Sequence, residues 1–414
     1  MRTPSPDPTH QGELNTAVSR PRARLVCFAF LALILSVPLA QLAEDIIHGR
    51  PPGPLALFER APTRANLRAF ERALEDASTP RGLVKSHLQL ALLHAFDFAD
   101  ASVIVPRHAR APAAWLFNQL GNDYLSGPGF LDPEFLRKRA RMLAEEEDDV
   151  RPDPRPAIIR FHADCAAAGV RLVFVPIPVK AMLQPAQLSG QFRLTADTPV
   201  PNNPSYPELI RDLRAAGVEV FDPTPPVLSP DDPPRYLRAD THWTPEWMQS
   251  VARDLAAHVL AGPSLPPLER PLRTSIEEVS IAQTGDTAAI LGLPAWQSYF
   301  RPQPITSRIV IDRSTGLPIE SREDADVVFI GDSFSNIYHG PEMGWGTSAG
   351  FSEHLAKELG RPIDALVRNG AAATELRLEF AARPAPLAGK RVVIWQVAMH
   401  EFIAGNWRIV PFKT

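Results

Sequence analysis

The chain has 414 residues, 45% hydrophobic and 22% charged, values of an ordinary globular protein with material for a sizeable core. A net charge of -4, with no basic stripe interleaved with aromatics, excludes a dedicated nucleic-acid binder. The two cysteines, Cys27 and Cys165, give no disulfide framework because Cys27 lies in an apolar stretch; there is no CxxC, HExxH or Cys/His cluster, so no metal site is expected.

Residues 1–23 are polar and rich in Pro, Ser and Thr, the composition of a disordered tail. Leu25 to Ala43 is almost wholly apolar, interrupted only by Ser36, Pro38 and Gln41, and Arg20, Arg22 and Arg24 precede it. Basic residues ahead of one apolar span favour a cytoplasmic N-terminus with everything after it across the membrane. A cleaved signal peptide is the competing reading, but the positions before Ala40 and Ala43 lack a small-x-small pattern. An uncleaved, single-pass anchor over 24–43 is therefore the favoured expectation. Either way the folded part stands outside the cytoplasm.

Pro51-Pro52-Gly53-Pro54 punctuates the exit, and helical spacing over 63–96 predicts a juxtamembrane helical segment within 44–100. The remainder, 101–414, reads as one main domain. Its 44-proline chain places many prolines in loops such as Pro223-Thr224-Pro225-Pro226, which are rigid connections. Residues 130–149 predict a helix whose run Glu145-Glu146-Glu147-Asp148-Asp149 is a solvated face.

From about residue 155 helices alternate with short apolar runs. A helix from Pro156 to Ala168 leads to a strand over Arg171 to Pro176, and a helix from Tyr206 to Ala216 leads to one over Val218 to Asp222. An amphipathic helix follows over Pro245 to Leu260. Residues 261–324 read as loop-rich, with a weak strand signal over Ser307 to Ile311. Further strands are expected over Ala325 to Ile330, Ile363 to Arg368 and Arg391 to Trp395. This alternation implies an α/β fold with a mainly parallel sheet in three layers, α/β/α.

Two stretches carry chemistry. Val327-Val328-Phe329-Ile330 stops at Gly331-Asp332-Ser333, and Gly331 lets the backbone turn sharply at the carboxyl end of the strand, where open α/β sheets place their sites. Ser333 would stand there with its hydroxyl exposed, although the same stretch also reads as a loop opening and N-cap. In Asp240-Thr241-His242-Trp243 an extended backbone would put Asp240 and His242 on one side. The carboxylate would then fix the imidazole tautomer, the imidazole would take a hydroxyl proton, and Ser333 would attack an acyl group. Taken alone, Asp-x-His reads first as a structural hydrogen bond or cap. The oxyanion would meet the N–H of Ser333 and the turn Asn369-Gly370-Ala371, which also reads as a plain turn.

Trp243, Trp296, Tyr299, Tyr338 and Trp345 are candidates to stack on sugar rings, Trp243 first because it adjoins His242. Each is more often a core aromatic than a platform. Lys180, at a strand end, is a candidate contact to an anionic sugar or a solvated lysine. Gly344 to Gly350 fits no phosphate-loop pattern and reads as a flexible loop near the site.

Together with Ala114 to Phe117, Leu172 to Lys180, and Gly285-Asp286 ahead of Leu291-Gly292-Leu293, the spaced Ala239 to Thr244 and Gly331 to Phe334 stretches resemble the alginate O-acetyltransferase family of AlgX and AlgJ type. The resemblance spans roughly 100–405. It implies a domain similar to the SGNH/GDSL hydrolases with rearranged segment order. It further implies Ser333 as acetyl carrier, His242 as base and Asp240 as its orienter, in an enzyme anchored in the bacterial inner membrane. The site would act in the periplasm on hydroxyls of an exported polysaccharide. The acetyl group would come from a membrane-bound O-acyltransferase working with other export and modification proteins, without a cofactor. One departure is visible. Where family members often carry Glu-Arg after the last strand, this chain has Met399-His400-Glu401, and no Asn stands there as an oxyanion donor. A serine esterase on the same scaffold and a non-catalytic, polysaccharide-binding assembly factor are the alternatives.

Overall fold

The computed structural model describes residues 20–49, 61, 63–77, 79–96, 99–106, 114–145, 149–262 and 265–412. Residues 1–19 of the expected tail, the Pro51 to Pro54 punctuation and the centre of the acidic run at 146–148 lie outside them. The chain divides into two compact units, Met1–Leu88 and Gln89–Thr414.

The first unit holds α1 (Arg20–Ile47), which contains the expected anchor and one internal proline, Pro38, and α2 (Arg64–Ala77). Among the described residues no helix is long and apolar enough to cross a membrane. Helix α3 (Thr79–Phe96) carries the chain into the second unit.

The second unit is built on α4 (Pro154–Ala167), β1 (Arg171–Ile177), α5 (Tyr206–Ala215), β2 (Glu219–Val220) and α6 (Pro245–Leu260). It continues with β3 (Thr274–Gln283), α7 (Asp286–Ile290), β4 (Gln303–Asp312), β5 (Val327–Gly331), α8 (Ser333–Asn336) and α9 (Phe351–Leu359). The last labelled elements are β6 (Asp364–Val367), α10 (Glu375–Ala381) and β7 (Val392–Ala398). Helix starts follow local chemistry. Asp153 accepts the Arg155 N–H ahead of Pro154, and Thr244 accepts the Trp247 N–H ahead of Pro245.

Five strands form a wholly parallel sheet in the order β6-β5-β7-β1-β2. Every residue of β5 and β7 is buried, which is why both read as unbroken apolar runs and not as alternating ones. The chain steps from β1 outward to β2 in one direction and from β5 outward to β6 in the other. Right-handed crossovers therefore put α5 and α9 on opposite faces. Packing of α4 on α5 and of α6 on α9 agrees with this, giving helices on both sides of the sheet. Strand β2 is shorter than expected, two residues at the sheet edge, with Phe221 N–H still donating to Phe174 O at 2.9 Å.

The loop-rich reading of 261–324 needs correction. Strands β3 and β4 form an antiparallel ribbon paired from Thr274↔Asp312 to Gln283↔Gln303. Neither strand has a strict apolar alternation, because the ribbon lies outside the sheet and much of β3 is exposed.

Candidate active site

The Asp-Thr-His segment is not extended. A bridge between Tyr236 and Trp243 closes it, with Leu237 N–H donating to His242 O at 3.0 Å and Thr244 N–H to Arg235 O at 2.9 Å. Asp240 Oδ1 accepts the backbone N–H of His242 at 3.0 Å and its ring Nδ1 at 2.7 Å. An Asx turn, rather than the two-residue period of a strand, thus brings the pair together. Since an ionised carboxylate only accepts, Nδ1 carries the proton and Nε2 is left as the basic nitrogen. That Nε2 is buried and has no hydrogen-bond partner among the described residues.

The Gly-Asp-Ser turn meets this pair at the carboxyl end of β5. Asp332 caps α8 by accepting the Phe334 N–H at 3.0 Å, so the capping role and the site coexist. Gly331 has no positive φ. A Cβ there would lie 2.6 Å from Phe329 Cε1, 2.7 Å from Ser335 Oγ and 2.9 Å from Gln396 Oε1, so close packing and not turn freedom requires glycine. Gln396, the polar residue of central β7, ties the turn down: Oε1 accepts from Asp332 N–H and Ser335 Oγ, and Nε2 donates to Asp332 Oδ1.

Ser333 is half-buried and opens α8, where the first N–H groups of a helix lack intrahelical partners. The Phe334 ring sits edge-on to His242 with centroids 4.8 Å apart, and Trp243 Nε1 donates to Phe334 O at 2.8 Å. The two motifs are thereby stitched together, but no hydrogen bond joins Ser333 Oγ to His242 Nε2. On the adjoining strand, Val367 pairs with Gly331, and Asn369 and Gly370 follow as an exposed turn. Gly370 has φ +63°, and Asn369 Oδ1 accepts from Asn336 Nδ2 at 2.9 Å, leaving the Asn369 amide nitrogen uncommitted.

Four expected sugar contacts are instead interior. Trp243 is fully buried among Trp247, Phe334 and Phe351. Tyr338 is buried, its hydroxyl donating to Trp243 O at 2.7 Å. Trp345 is buried and its Nε1 donates to Asp240 Oδ2 at 2.9 Å. Lys180 is buried with Nζ donating to the carbonyls of Leu116 at 2.5 Å, Arg238 at 2.8 Å and Asp240 at 2.9 Å. All three ammonium donors hold backbone, so Lys180 frames the Asp240 turn and offers nothing to a glycan. Of the aromatics considered, Trp296 is the exposed one, at 69%.

Two residues were not singled out for the site. Asp286, present in the sequence only as part of Gly285-Asp286, has Oδ2 3.6 Å from His242 Nδ1, while its Oδ1 accepts the Thr241 N–H at 2.7 Å. Gly285, at φ +91°, permits this approach: a Cβ would stand 2.4 Å from Ala239 O. His400, noted only as a departure, lines a cavity of about 10 Å³ with Phe117, Asn118, Thr241 and Phe334. That is room for one water-sized group. A much larger cavity, of about 780 Å³, lies elsewhere, lined by Arg273, Arg313 and Ile363.

Electrostatics follow from this crowding. Burial alone would depress His242, but the hydrogen bond and charge of Asp240, backed by Asp286 and Asp332, raise it above the ordinary imidazole value. Burial pushes Asp240 up, and the hydrogen bond and charge of His242 with the N–H groups of Asp286 and His242 more than reverse that, holding it low. Asp286 is raised by burial and by Asp240. Burial takes Lys180 down to about 7 and His400 to about 4. Asp240, His242 and Asp286 bring ligand-type atoms within 4.8 Å of one another. Each Asp240 oxygen already receives two N–H donors, however, so the cluster is arranged to hold an imidazole.

The family described as "SGNH hydrolase-like domain, acetyltransferase AlgX" matches residues 134–399, more than half of the chain. This chain belongs to that AlgX family. Among solved structures, the O-acetyltransferase domain of Pseudomonas putida AlgJ is similar at 18% identity over 74% of this chain and 93% of that one, with a TM-score of 0.50. Pseudomonas aeruginosa AlgX is similar at 15% identity over 62% of each chain, TM-score 0.43. Bacillus cereus PatB1 is similar at 8% identity over 72% of this chain and 97% of that one, TM-score 0.39. No curated protein matches the sequence. Membership of the AlgX family and the likeness to the AlgJ domain agree on an α/β, SGNH-like second unit around the parallel sheet.

Proposed function

We propose that the chain is an O-acetyltransferase that moves an acetyl group through Ser333 to hydroxyls of an exported polysaccharide. The observation that carries this reading is the imidazole of His242, hung by Nδ1 on a buried carboxylate, its Nε2 unbonded and its ring packed against the residue that follows Ser333. Membership of an acetyltransferase family and likeness to the O-acetyltransferase domain of Pseudomonas putida AlgJ support the reaction class.

In the proposed cycle His242 Nε2 takes the Ser333 hydroxyl proton as Oγ attacks the acetyl carbonyl. The oxyanion meets the Ser333 N–H and donors of the Asn369-Gly370 turn. Collapse breaks the donor's acyl bond, its leaving group takes the proton from His242, and acetyl-Ser333 remains. A sugar hydroxyl then gives its proton to Nε2 as it attacks the ester carbonyl, and collapse breaks the Oγ–acetyl bond while Nε2 passes the proton to Ser333 Oγ. A nucleophile–base hydrogen bond of this kind is often long in a free enzyme and tightens once substrate binds. The reading extends to a membrane-anchored protein facing the periplasm, with acetyl delivered by a membrane-bound O-acyltransferase and no cofactor. Its support is the basic-flanked apolar stretch inside α1.

Full-length protein incubated with an acetyl-ester donor and a uronate oligosaccharide should yield O-acetylated oligosaccharide. Ser333→Ala and His242→Ala should each lower that yield by about 10³-fold or more. Release of acetate with no acetylated sugar would support the esterase, and transfer undiminished in Ser333→Ala would end the acyl-enzyme reading.

A further inference from the structure

Four tryptophans are fully buried: Trp243, Trp345, Trp395 and Trp407. Three give their indole N–H to backbone carbonyls, those of Phe334, Ala372 and Glu401. Trp345 gives its own to a carboxylate, Asp240 Oδ2, at 2.9 Å and 105 residues away in sequence. The other donor to that oxygen is Asp286 N–H at 2.9 Å, while Oδ1 serves His242 twice. Four donors thus fill a carboxylate's four acceptor positions and leave it one orientation.

The backbone around Trp345 is shaped for this contact. Gly344, Gly346 and Ser348 have φ of +73°, +101° and +55°, a concentration of left-handed residues of the kind that gathers where surrounding structure over-determines a loop. What surrounds it is the β3–β4 ribbon. A Cβ on Gly346 would lie 2.7 Å from Ile281 Cδ1 and 3.2 Å from Ser307 Oγ, and one on Gly344 would lie 3.2 Å from Gln283 Nε2. Val310 N–H donates to Ser348 O at 3.1 Å. Both strands of the ribbon therefore bear on the loop that carries the indole.

We propose that Trp345, braced by the β3–β4 ribbon, is a positioning residue that fixes Asp240 and so sets the orientation and basicity of His242. The inference rests on the acyl-transfer reading above. The charged and titratable groups facing Asp240 are His242, Asp286, Lys180 and Tyr338, with Asp332 and His400 beyond the imidazole. Losing a donor to the anion raises the proton affinity of the pair, whichever member takes the proton. The acid limb of the rate–pH profile then moves to higher pH.

The test is Trp345→Phe in the full-length protein, which keeps a buried aromatic ring and removes the N–H donor together with the indole's second ring. Transfer should fall about 10–100-fold in kcat with little change in KM, the scale seen when a group that orients a reacting residue is lost. The acid limb should rise by about half a pH unit or more. Trp395→Phe, which removes an indole bond to a carbonyl, should lower the melting temperature without moving the limb. A folded Trp345→Phe protein with wild-type kcat and an unmoved limb overturns the proposal. Should that variant not fold, the indole N–H resonances of wild type, labelled with ¹⁵N, decide instead. The Trp345 signal must shift as the pair titrates, and one that stays fixed overturns the proposal. If Ser333→Ala retains full transfer, the acyl-transfer reading fails, and the indole titration still decides whether Trp345 senses the pair.

Discussion

At the residue scale, polar groups in this site are fastened by name. Asp240 takes four N–H donors, Lys180 gives three to carbonyls, and Gln396 satisfies both the Asp332 N–H and its carboxylate. Glu401, whose Oε1 lies 3.6 Å from His400 Nε2, is set apart by its electrostatics. Burial, with the charges of Asp332 and Glu375, pushes it up to about 8. The folded chain therefore holds a proton there that the unfolded chain releases between about 4.5 and 8, and stability falls as pH rises through that window. Glu401→Gln mimics the protonated form. It should raise the thermal midpoint by a few degrees at pH 9 and by almost nothing below pH 4.5, measured by calorimetry at the two pH values.

Asp240, His242 and Ser333 stood out in the sequence because a carboxylate two residues from a histidine, and a serine at the end of an apolar strand, are short-range patterns. The contacts of Trp345 and Asp286 to the pair join residues 105 and about 45 positions apart, and no local spacing records them. Trp243, Tyr338 and Lys180 failed as sugar contacts for a related reason. An aromatic or a lysine near a motif reads the same in sequence whether it faces solvent or holds the motif from behind.

At the element scale, β1, β5 and β7 were readable because a strand buried on both faces must be a nearly unbroken apolar run. The β3–β4 ribbon was not, because an exposed ribbon needs no such run. The Asp-Thr-His turn was misread as extended because period-two spacing and an Asx turn both bring residues i and i+2 together. The join of β5 to α8 gives a sharp expectation. Gly331→Ala inserts a methyl within 3.0 Å of three atoms, including Gln396 Oε1. It should cost about 1–3 kcal/mol in denaturant unfolding, the usual range for overpacking, and lower transfer by displacing Ser333. Unchanged stability would mean that the turn has slack the packing does not show.

At the scale of the whole molecule, the AlgX-family match over 134–399 lies wholly within the second unit, and the basic-flanked apolar stretch lies within the first. Catalysis as proposed needs only the second unit, whereas the periplasmic setting depends on the first. The central claim is chemical: an acetyl group resides on Ser333 and reaches it through His242. Mass spectrometry of full-length protein after brief exposure to an acetyl-ester donor tests it most directly. The account predicts an acetyl adduct on the Ser333 peptide in wild type, lost on adding oligosaccharide, and no adduct in folded His242→Ala. An adduct that forms equally well without His242, or no adduct on folded wild-type protein that still transfers acetyl, would contradict it.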